Sequence, residues 1–190
     1  EKVIKMFEYM NDFDIRSVCF NWMAHIGWLR TSTEIQERGN ALVTGFDIQD
    51  LPGNENRITA DELWNNYTYF IRAVIPYAEK YNIKLALHPD DPPISKLGGV
   101  ERIMISYDNI AKAVSIVDSP NLGVTMCQAC YLMMGEDLYD VIPKLADKIF
   151  FVHFRNTTGE INSFRETFHD NGKLDMAHLI KLYKKLRINV

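Results

Sequence analysis

Cysteine is scarce in this sequence, and the number and spacing of the thiols limit what they can do. Cys19, Cys127 and Cys130 are the only three in 190 residues, and an odd number argues against a disulfide framework. Cys127 and Cys130 form a C-x-x-C pair, which could be a redox motif or half of a zinc knuckle. Neither alternative is favoured, because Cys127 ends a predicted strand and no second C-x-x-C completes a four-thiolate site. We therefore expect free thiols in a reducing compartment.

Long apolar runs and an excess of basic residues are also missing. No run approaches the roughly 20 apolar residues that span a bilayer, and residues 1–11 resemble neither a signal nor a transit peptide. The net charge of −4 at pH 7 offers no basic face to nucleic acid. We expect residues 1–190 to form one soluble, cytoplasmic domain without a nucleic-acid or membrane partner.

Short apolar runs alternate with longer segments whose apolar residues have helical spacing. This order predicts the α/β class with a parallel sheet, and four strands with the start of a fifth correspond to about half of an eight-stranded (β/α)8 barrel, the TIM barrel, which takes about 250 residues. Residues 30–57, and the residues after His153 up to Asn171, are polar and predict irregular loops. The predicted strands are residues 15–20, 83–87, 122–126, 149–152 and 188–190. The predicted helices are residues 1–10, 59–80, 108–117, 137–146 and 175–186.

Three residues able to bind a metal stand directly after predicted strands. His88, Cys127 and His153 each close an apolar run, so a parallel sheet would bring them to the same edge. Two imidazoles and one thiol form most of the first shell of a divalent transition-metal site. Asp90 and Asp91 lie beside His88 in a Pro-rich loop. Each histidine alone could equally be a structural residue, and Cys127 alone a small buried hydrophobe.

Residues near the same strand ends are candidates for binding a substrate. Arg155 lies two residues beyond His153 and could hold a carboxylate through two hydrogen bonds, or form a salt bridge with Glu166. His169 lies in the following loop and could contact substrate, transfer protons, or have no role. Trp22 and Trp28 could wall a sugar site, although core packing is the commoner use of a tryptophan.

Several strings of the sequence resemble the mannonate dehydratase family of the xylose-isomerase-like barrel superfamily. They are L-H-P-D-D-P-P at residues 87–93, V-T-M-C at residues 124–127 and F-V-H-F-R-N at residues 151–156. Residues 164–176 and 18–22 also look like this family. The similarity covers nearly the whole chain and corresponds to the fourth through seventh strands of the family's barrel.

This resemblance implies dehydration of D-mannonate to 2-keto-3-deoxy-D-gluconate in hexuronate breakdown, with Mn²⁺ or Fe²⁺ as cofactor and a homodimer as the assembly. It implies that His88, Cys127 and His153 are metal ligands, so that Cys127→Ala should weaken metal binding strongly and Cys130→Ala should not. The residues implied to bind substrate are Arg155, Asn156, His169, Asp90 and Trp22.

The sequence departs from the family pattern in two places. The family's fourth ligand, an aspartate on the eighth strand, and a following histidine for proton transfer would lie beyond Val190, so we expect a longer natural protein. Residues 31–58 stand where the family has a longer helical insertion. A metal-dependent sugar isomerase or epimerase and a non-catalytic sugar-acid binding protein are the alternative functions.

Overall fold

The computed structural model describes residues 1–188, which form eleven strands and six α-helices. The strand predicted at residues 188–190 falls largely outside the described residues, and Ile188 itself belongs to no strand. The strands are β1 (Ser17–Phe20), β2 (Ser32–Gln36), β3 (Leu42–Asp47), β4 (Arg57–Ile58), β5 (Lys84–Leu87), β6 (Lys96–Leu97), β7 (Gly99–Glu101), β8 (Leu122–Cys127), β9 (Ile149–His153), β10 (Asn156–Glu160) and β11 (Ser163–Thr167). The helices are α1 (Lys2–Asp12), α2 (Ala60–Lys80), α3 (Tyr107–Val114), α4 (Gln128–Met133), α5 (Leu138–Leu145) and α6 (Met176–Lys185).

A parallel sheet with the strand order β1-β5-β8-β9 forms the centre of the fold. All three neighbouring pairs are parallel, because helix-containing crossovers return the chain to the same end of the sheet each time. These are the four strands that the sequence predicts, and each begins within two residues of its predicted start. The predicted α/β class is therefore confirmed, and all four carboxyl ends lie along one edge.

Side-chain caps define where the longer helices begin. Thr59 and Glu62 form the predicted capping box at the start of α2, which satisfies two backbone N–H groups that would otherwise lack partners. Ser106, Asp137 and Asp175 cap α3, α5 and α6 through a side-chain oxygen. The predicted helices are thus confirmed to within a few residues.

The core lies between the helices and the parallel sheet. Tyr67 and Ile71 on α2 are fully buried in the same cluster as Leu87 of β5 and Val124 of β8. Burial of each large apolar side chain stabilises the fold by about 1.5–3 kcal/mol relative to exposure. None of the helices in residues 1–188 combines the length and apolar composition needed to cross a bilayer.

A second, antiparallel sheet has the order β10-β11-β3-β2, and a short third sheet has the order β4-β7-β6. The predicted irregular loops at residues 30–57 and after His153 are therefore wrong in large part. Ser163 of β11 pairs with Asp47 of β3, 116 residues away. These strands are short and polar, so they lack the apolar alternation that marks a strand locally, and only the distant partner reveals them.

Candidate metal and substrate site

His88, Cys127 and His153 come together at the carboxyl edge of the parallel sheet. Cys127 and His153 are register partners in the β8–β9 pair. The backbone N–H of His88 donates to the carbonyl oxygen of Phe20 at 2.7 Å, which continues the β1–β5 pairing by one residue. The Nε2 atom of His88 lies 2.9 Å from Nδ1 of His153. The fold thus places these three side chains in one cluster, as the sequence predicts.

A backbone contact orients the His88 ring. Its Nδ1 atom lies 2.6 Å from the carbonyl oxygen of Pro89, an acceptor that requires a proton on Nδ1. Nε2 is then the nitrogen with the free lone pair, and it points to His153. Metal-binding histidines usually donate the N–H of their other ring nitrogen to a carbonyl or a carboxylate, which sets the tautomer in this way.

The cluster favours the ionised form of Cys127. Burial by itself raises the pKa of this fully buried thiol, but hydrogen bonds with Cys130, His153 and His88 act in the opposite direction. The charge of Arg155 adds to them, and the net pKa of Cys127 lies well below its usual range. The thiolate is the form of cysteine that binds metal ions.

The donor set fits a divalent transition metal. Two nitrogen atoms that each bind one ion at about 2.1 Å lie about 3 Å apart when the bonds meet at a right angle. The 2.9 Å between the two imidazole nitrogens of His88 and His153 agrees with this value. Imidazole and thiolate together suit zinc, iron and their neighbours in the first transition row.

Cys130 is a member of the cluster that the sequence analysis did not include. The ligand atoms of His88, Cys127 and Cys130 all lie within 4.8 Å of one another, and all three residues are buried. The C-x-x-C spacing is the signal that could have identified it, because residues three apart at the start of a helix share one side.

Arg155 contacts the cluster directly. Its Nη1 atom donates to Sγ of Cys127 at 3.1 Å and to Oδ2 of Asp91 at 2.9 Å. Its Nε and Nη2 atoms bind the two carboxylate oxygens of Glu166. The salt bridge to Glu166 that the sequence analysis weighed against substrate binding is thus present, and a quarter of the Arg155 side chain is still exposed.

Arg30 is a second arginine in this network, and nothing in the sequence pointed to it. It donates to Oδ1 of Asp91 and to Oε1 of Glu166, both at 2.7 Å, while only 1% of its side chain is exposed. Its guanidinium also stacks over the rings of Trp28 and Phe164. Its partners lie 61 and 136 residues away in the sequence, so no local pattern indicates the contact.

A cavity of about 470 Å³ opens beside these groups. His88, His153 and the charged groups of Asp91, Arg155 and Glu166 form its polar side, and aromatic side chains complete it. The residues that line it are Trp28, Thr44, His88, Asp91, Val152, His153, Phe154, Arg155 and Glu166.

The structure corrects the positions expected for Trp22 and Asp90. The Trp22 ring packs against Tyr67 and Phe70, and its Nε1 donates to the carbonyl oxygen of Leu63, so it belongs to the core while Trp28 lines the cavity. Asp90 is fully buried, with Arg102 at 3.5 Å as its ion-pair partner. Neither side chain faces the cavity.

Asn156 and His169 are also outside the cavity wall. Asn156 is 1% exposed, and its side-chain amide makes four hydrogen bonds with the backbone. Its Nδ2 donates to the carbonyl oxygens of His169 and Leu174, and its Oδ1 accepts from the N–H groups of Thr157 and Leu174. It anchors the loop after β11 and has no atom left for a substrate. His169 is exposed, and its Nε2 lies 2.8 Å from the carbonyl oxygen of Phe154.

Comparison with known proteins adds independent information. Residues 48–189 match the family model described as D-mannonate dehydratase (UxuA). The mannonate dehydratase of Endomicrobium trichonymphae is 30% identical over 89% of this chain and 57% of its own length.

Comparison with solved structures agrees with the comparison of sequences. The mannonate dehydratase from Streptococcus suis serotype 2 has a TM-score of 0.88 at 28% identity, over 97% of this chain and 56% of that one. A xylose isomerase domain protein from Planctomyces limnophilus has a TM-score of 0.62 at 11% identity, over 100% of this chain and 54% of that one, which shows the fold alone. The chain therefore spans somewhat more than half the length of these relatives, and the predicted partial barrel is confirmed.

Proposed function

Because the chain belongs to the D-mannonate dehydratase family, we propose that it forms the metal-binding part of an enzyme that converts D-mannonate to 2-keto-3-deoxy-D-gluconate in hexuronate breakdown. One observation carries the proposal. The donors His88, Cys127 and His153 converge at the carboxyl edge of a parallel sheet, beside Arg155 and an open cavity. This edge is where enzymes of this architecture place their chemistry.

His88, Cys127 and His153 would hold Mn²⁺ or Fe²⁺ in this proposal. Such an ion, when bound, supplies a Lewis acid for the negative charge that develops as the proton on carbon 2 is removed. The protein's contribution is to orient the donors. The Pro89 carbonyl sets the tautomer of His88, and the pairing of β8 with β9 sets Cys127 beside His153.

Arg155 would bind the carboxylate of the sugar acid. Its guanidinium is partly exposed to the cavity, and its planar donors match a carboxylate. Asp91 and Glu166 already balance the charges of Arg155 and Arg30, so this cluster is neutral and holds Arg155 in place. His169 does not line the cavity, but its ring packs against Phe154, which does, so a contact of His169 with the substrate stays a prediction.

The assembly and location belong to the same proposal. We propose a homodimer in the cytoplasm, where a reducing environment keeps Cys127 free to bind metal. The free state of all three cysteines supports this location.

The test is product formation by the full-length protein. Reduced enzyme with Mn²⁺ or Fe²⁺ is incubated with D-mannonate beside a chelated sample, and the 2-keto-3-deoxy acid is measured. Arg155→Met is compared with Arg72→Met, which changes an exposed arginine on α2. Metal-dependent product that is lost only in Arg155→Met supports the proposal. A product of unchanged mass would indicate an isomerase, and binding without turnover would indicate a binding protein.

A further inference from the structure

Trp28 is an exposed aromatic residue in the wall of the cavity. A tryptophan in a folded protein is largely buried on average, yet 55% of Trp28 is exposed, and it lines the same cavity as His88, His153 and Arg155. Its indole ring lies over the guanidinium of Arg30, whose Cζ is 4.6 Å from the ring centroid. Protein therefore covers one face of the ring, and the exposed part remains available to a ligand.

The turn that carries Trp28 is held in place on both sides of the tryptophan. On one side, the Nη2 atom of Arg102 donates to the carbonyl oxygens of Ile26 and Gly27 at 2.9 and 3.0 Å. On the other side, the backbone N–H of Leu29 donates to a carbonyl oxygen of the Pro-rich loop at 3.3 Å. A side chain on a fixed backbone loses less conformational entropy when a ligand binds, which favours affinity.

Trp28 and the metal-binding cluster lie at opposite ends of a series of contacts. Arg155 contacts Cys127 and pairs with Glu166. Glu166 also pairs with Arg30, and Arg30 lies against the Trp28 ring. A sugar acid whose carboxylate is bound at Arg155 would therefore meet the indole with the other end of its carbon chain.

We propose that Trp28 binds the end of the sugar acid that is farthest from the carboxylate. This assignment rests on the proposed function, which places the carboxylate at Arg155. The C–H groups of a sugar chain form apolar surface between the hydroxyl groups, and the rigid, apolar face of an aromatic ring packs well against such surface. Trp28 thus makes the site prefer a six-carbon acid to a shorter one.

The test compares two sugar acids in calorimetric titrations of the metal-loaded full-length protein. D-mannonate has six carbons, whereas L-erythronate has the same configuration at carbons 2 and 3 but ends at carbon 4. Trp28→Ala should bind D-mannonate about 2–10-fold more weakly, the range typical of one aromatic contact, and bind L-erythronate as the unmodified protein does. Trp28→Phe should retain most of the affinity, because it keeps an apolar ring.

Tyr69→Ala is the matched control, because Tyr69 is an exposed aromatic residue on α2 and is not part of the wall of this cavity. It should bind both acids like the unmodified protein. Tryptophan fluorescence gives a second measurement that does not depend on turnover. The other two tryptophans, Trp22 and Trp64, pack against the core, so the fluorescence change caused by D-mannonate should be lost in Trp28→Phe.

The outcomes separate this inference from the proposed function. Equal losses for the two acids in Trp28→Ala would overturn the inference, because they would show that Trp28 acts on the whole cavity. Unchanged affinity for D-mannonate would also overturn it, and weaker self-association of the variant would then make Trp28 a subunit contact. A loss confined to D-mannonate upholds the inference even if no 2-keto-3-deoxy acid forms, a result that would reject only the dehydratase proposal. Absence of D-mannonate binding by the unmodified protein would overturn both.

Discussion

Arg30 and Arg155 share the carboxylate of Glu166, and both donate to its Oε1 atom. They also share Asp91, so two arginines and two carboxylates form one closed network. Arg30 is buried behind the cavity wall, whereas Arg155 is partly exposed to the cavity. We therefore expect separable roles for the two residues, stability for Arg30 and substrate binding for Arg155.

Replacing Arg30 should destabilise the fold. Arg155 would still pair with both carboxylates, but Arg30→Met would leave the buried Oδ1 of Asp91 without its side-chain donor, and such an unsatisfied acceptor costs about 1–3 kcal/mol. The free energy of unfolding in urea measures this cost. Arg38→Met is the control, because Arg38 pairs with Asp170 at the surface and its loss should change stability little. Equal stability of the two variants would contradict a structural role for the network.

Replacing Arg155 should weaken binding of the sugar acid while the protein stays folded. Arg30 keeps both carboxylates paired, so Arg155→Met leaves no isolated buried charge. Each hydrogen bond to a charged group contributes about 1.5–3 kcal/mol, or about 10–150-fold in Kd. Calorimetric titration of the metal-loaded protein with D-mannonate measures the loss, and metal analysis checks that the ion is retained. Unchanged affinity would mean that Arg155 is only a structural partner of Glu166.

Asn156 should control the order of the loop that follows β11. Asn156→Ala removes the partners of the backbone groups of His169 and Leu174, and we expect a loss of roughly 2–3 kcal/mol. Gly172→Ala should act in the same direction, because an added Cβ would lie 2.1 Å from Oδ1 of Asn156.

Limited proteolysis measures this effect directly. Cleavage within residues 168–174 should become faster in both variants than in Asn171→Ala, which changes an exposed neighbour. Protection of the loop in Asn156→Ala would show that the strand pairing of β10 with β11 is sufficient to hold it.

The α2 capping box predicts a dependence of stability on pH. The pKa of Glu62 is lowered from its ordinary value of 4.5, first by the backbone N–H of Thr59 and then by the Thr59 hydroxyl. A group with a lowered pKa stabilises the fold above its unfolded pKa, and this contribution disappears as the pH falls through its folded pKa. Glu62→Gln should therefore be less stable than the unmodified protein at pH 7, and the difference should shrink towards pH 3.

Thermal unfolding at several pH values tests this expectation. Thr59→Ala removes the cap itself and should cost about 1 kcal/mol. A stability difference for Glu62→Gln that stays constant with pH would show that the carboxylate does not act through the cap.

Sequence reasoning succeeded where the determining interactions are local. The four parallel strands and the Thr59 and Asp175 caps follow from patterns that span only a few residues. His88, Cys127 and His153 could be brought together from sequence because parallel strand ends share an edge.

Sequence reasoning failed where distant segments decide the outcome. Arg30 and the pairing of β3 with β11 depend on partners that lie up to 136 residues away. Trp22 and Trp28 stand in one aromatic loop, and only the packing of Trp22 against α2 separates the core residue from the cavity residue. The proximity of Cys130 to His88 and Cys127 depends on the side-chain positions at the start of α4, which the C-x-x-C spacing alone does not determine.

The pairing of β3 with β11 also sets an order of assembly for the cavity. Trp28 and Arg30 precede β3, whereas Arg155 and Glu166 lie around β10 and β11, so the cavity wall closes over a loop of more than a hundred residues. Such long-range contacts form late, because the entropy of loop closure must be overcome first. During synthesis the cavity can therefore be completed only after Thr167 has left the ribosome, fourteen residues later than His153, the last residue of the parallel sheet.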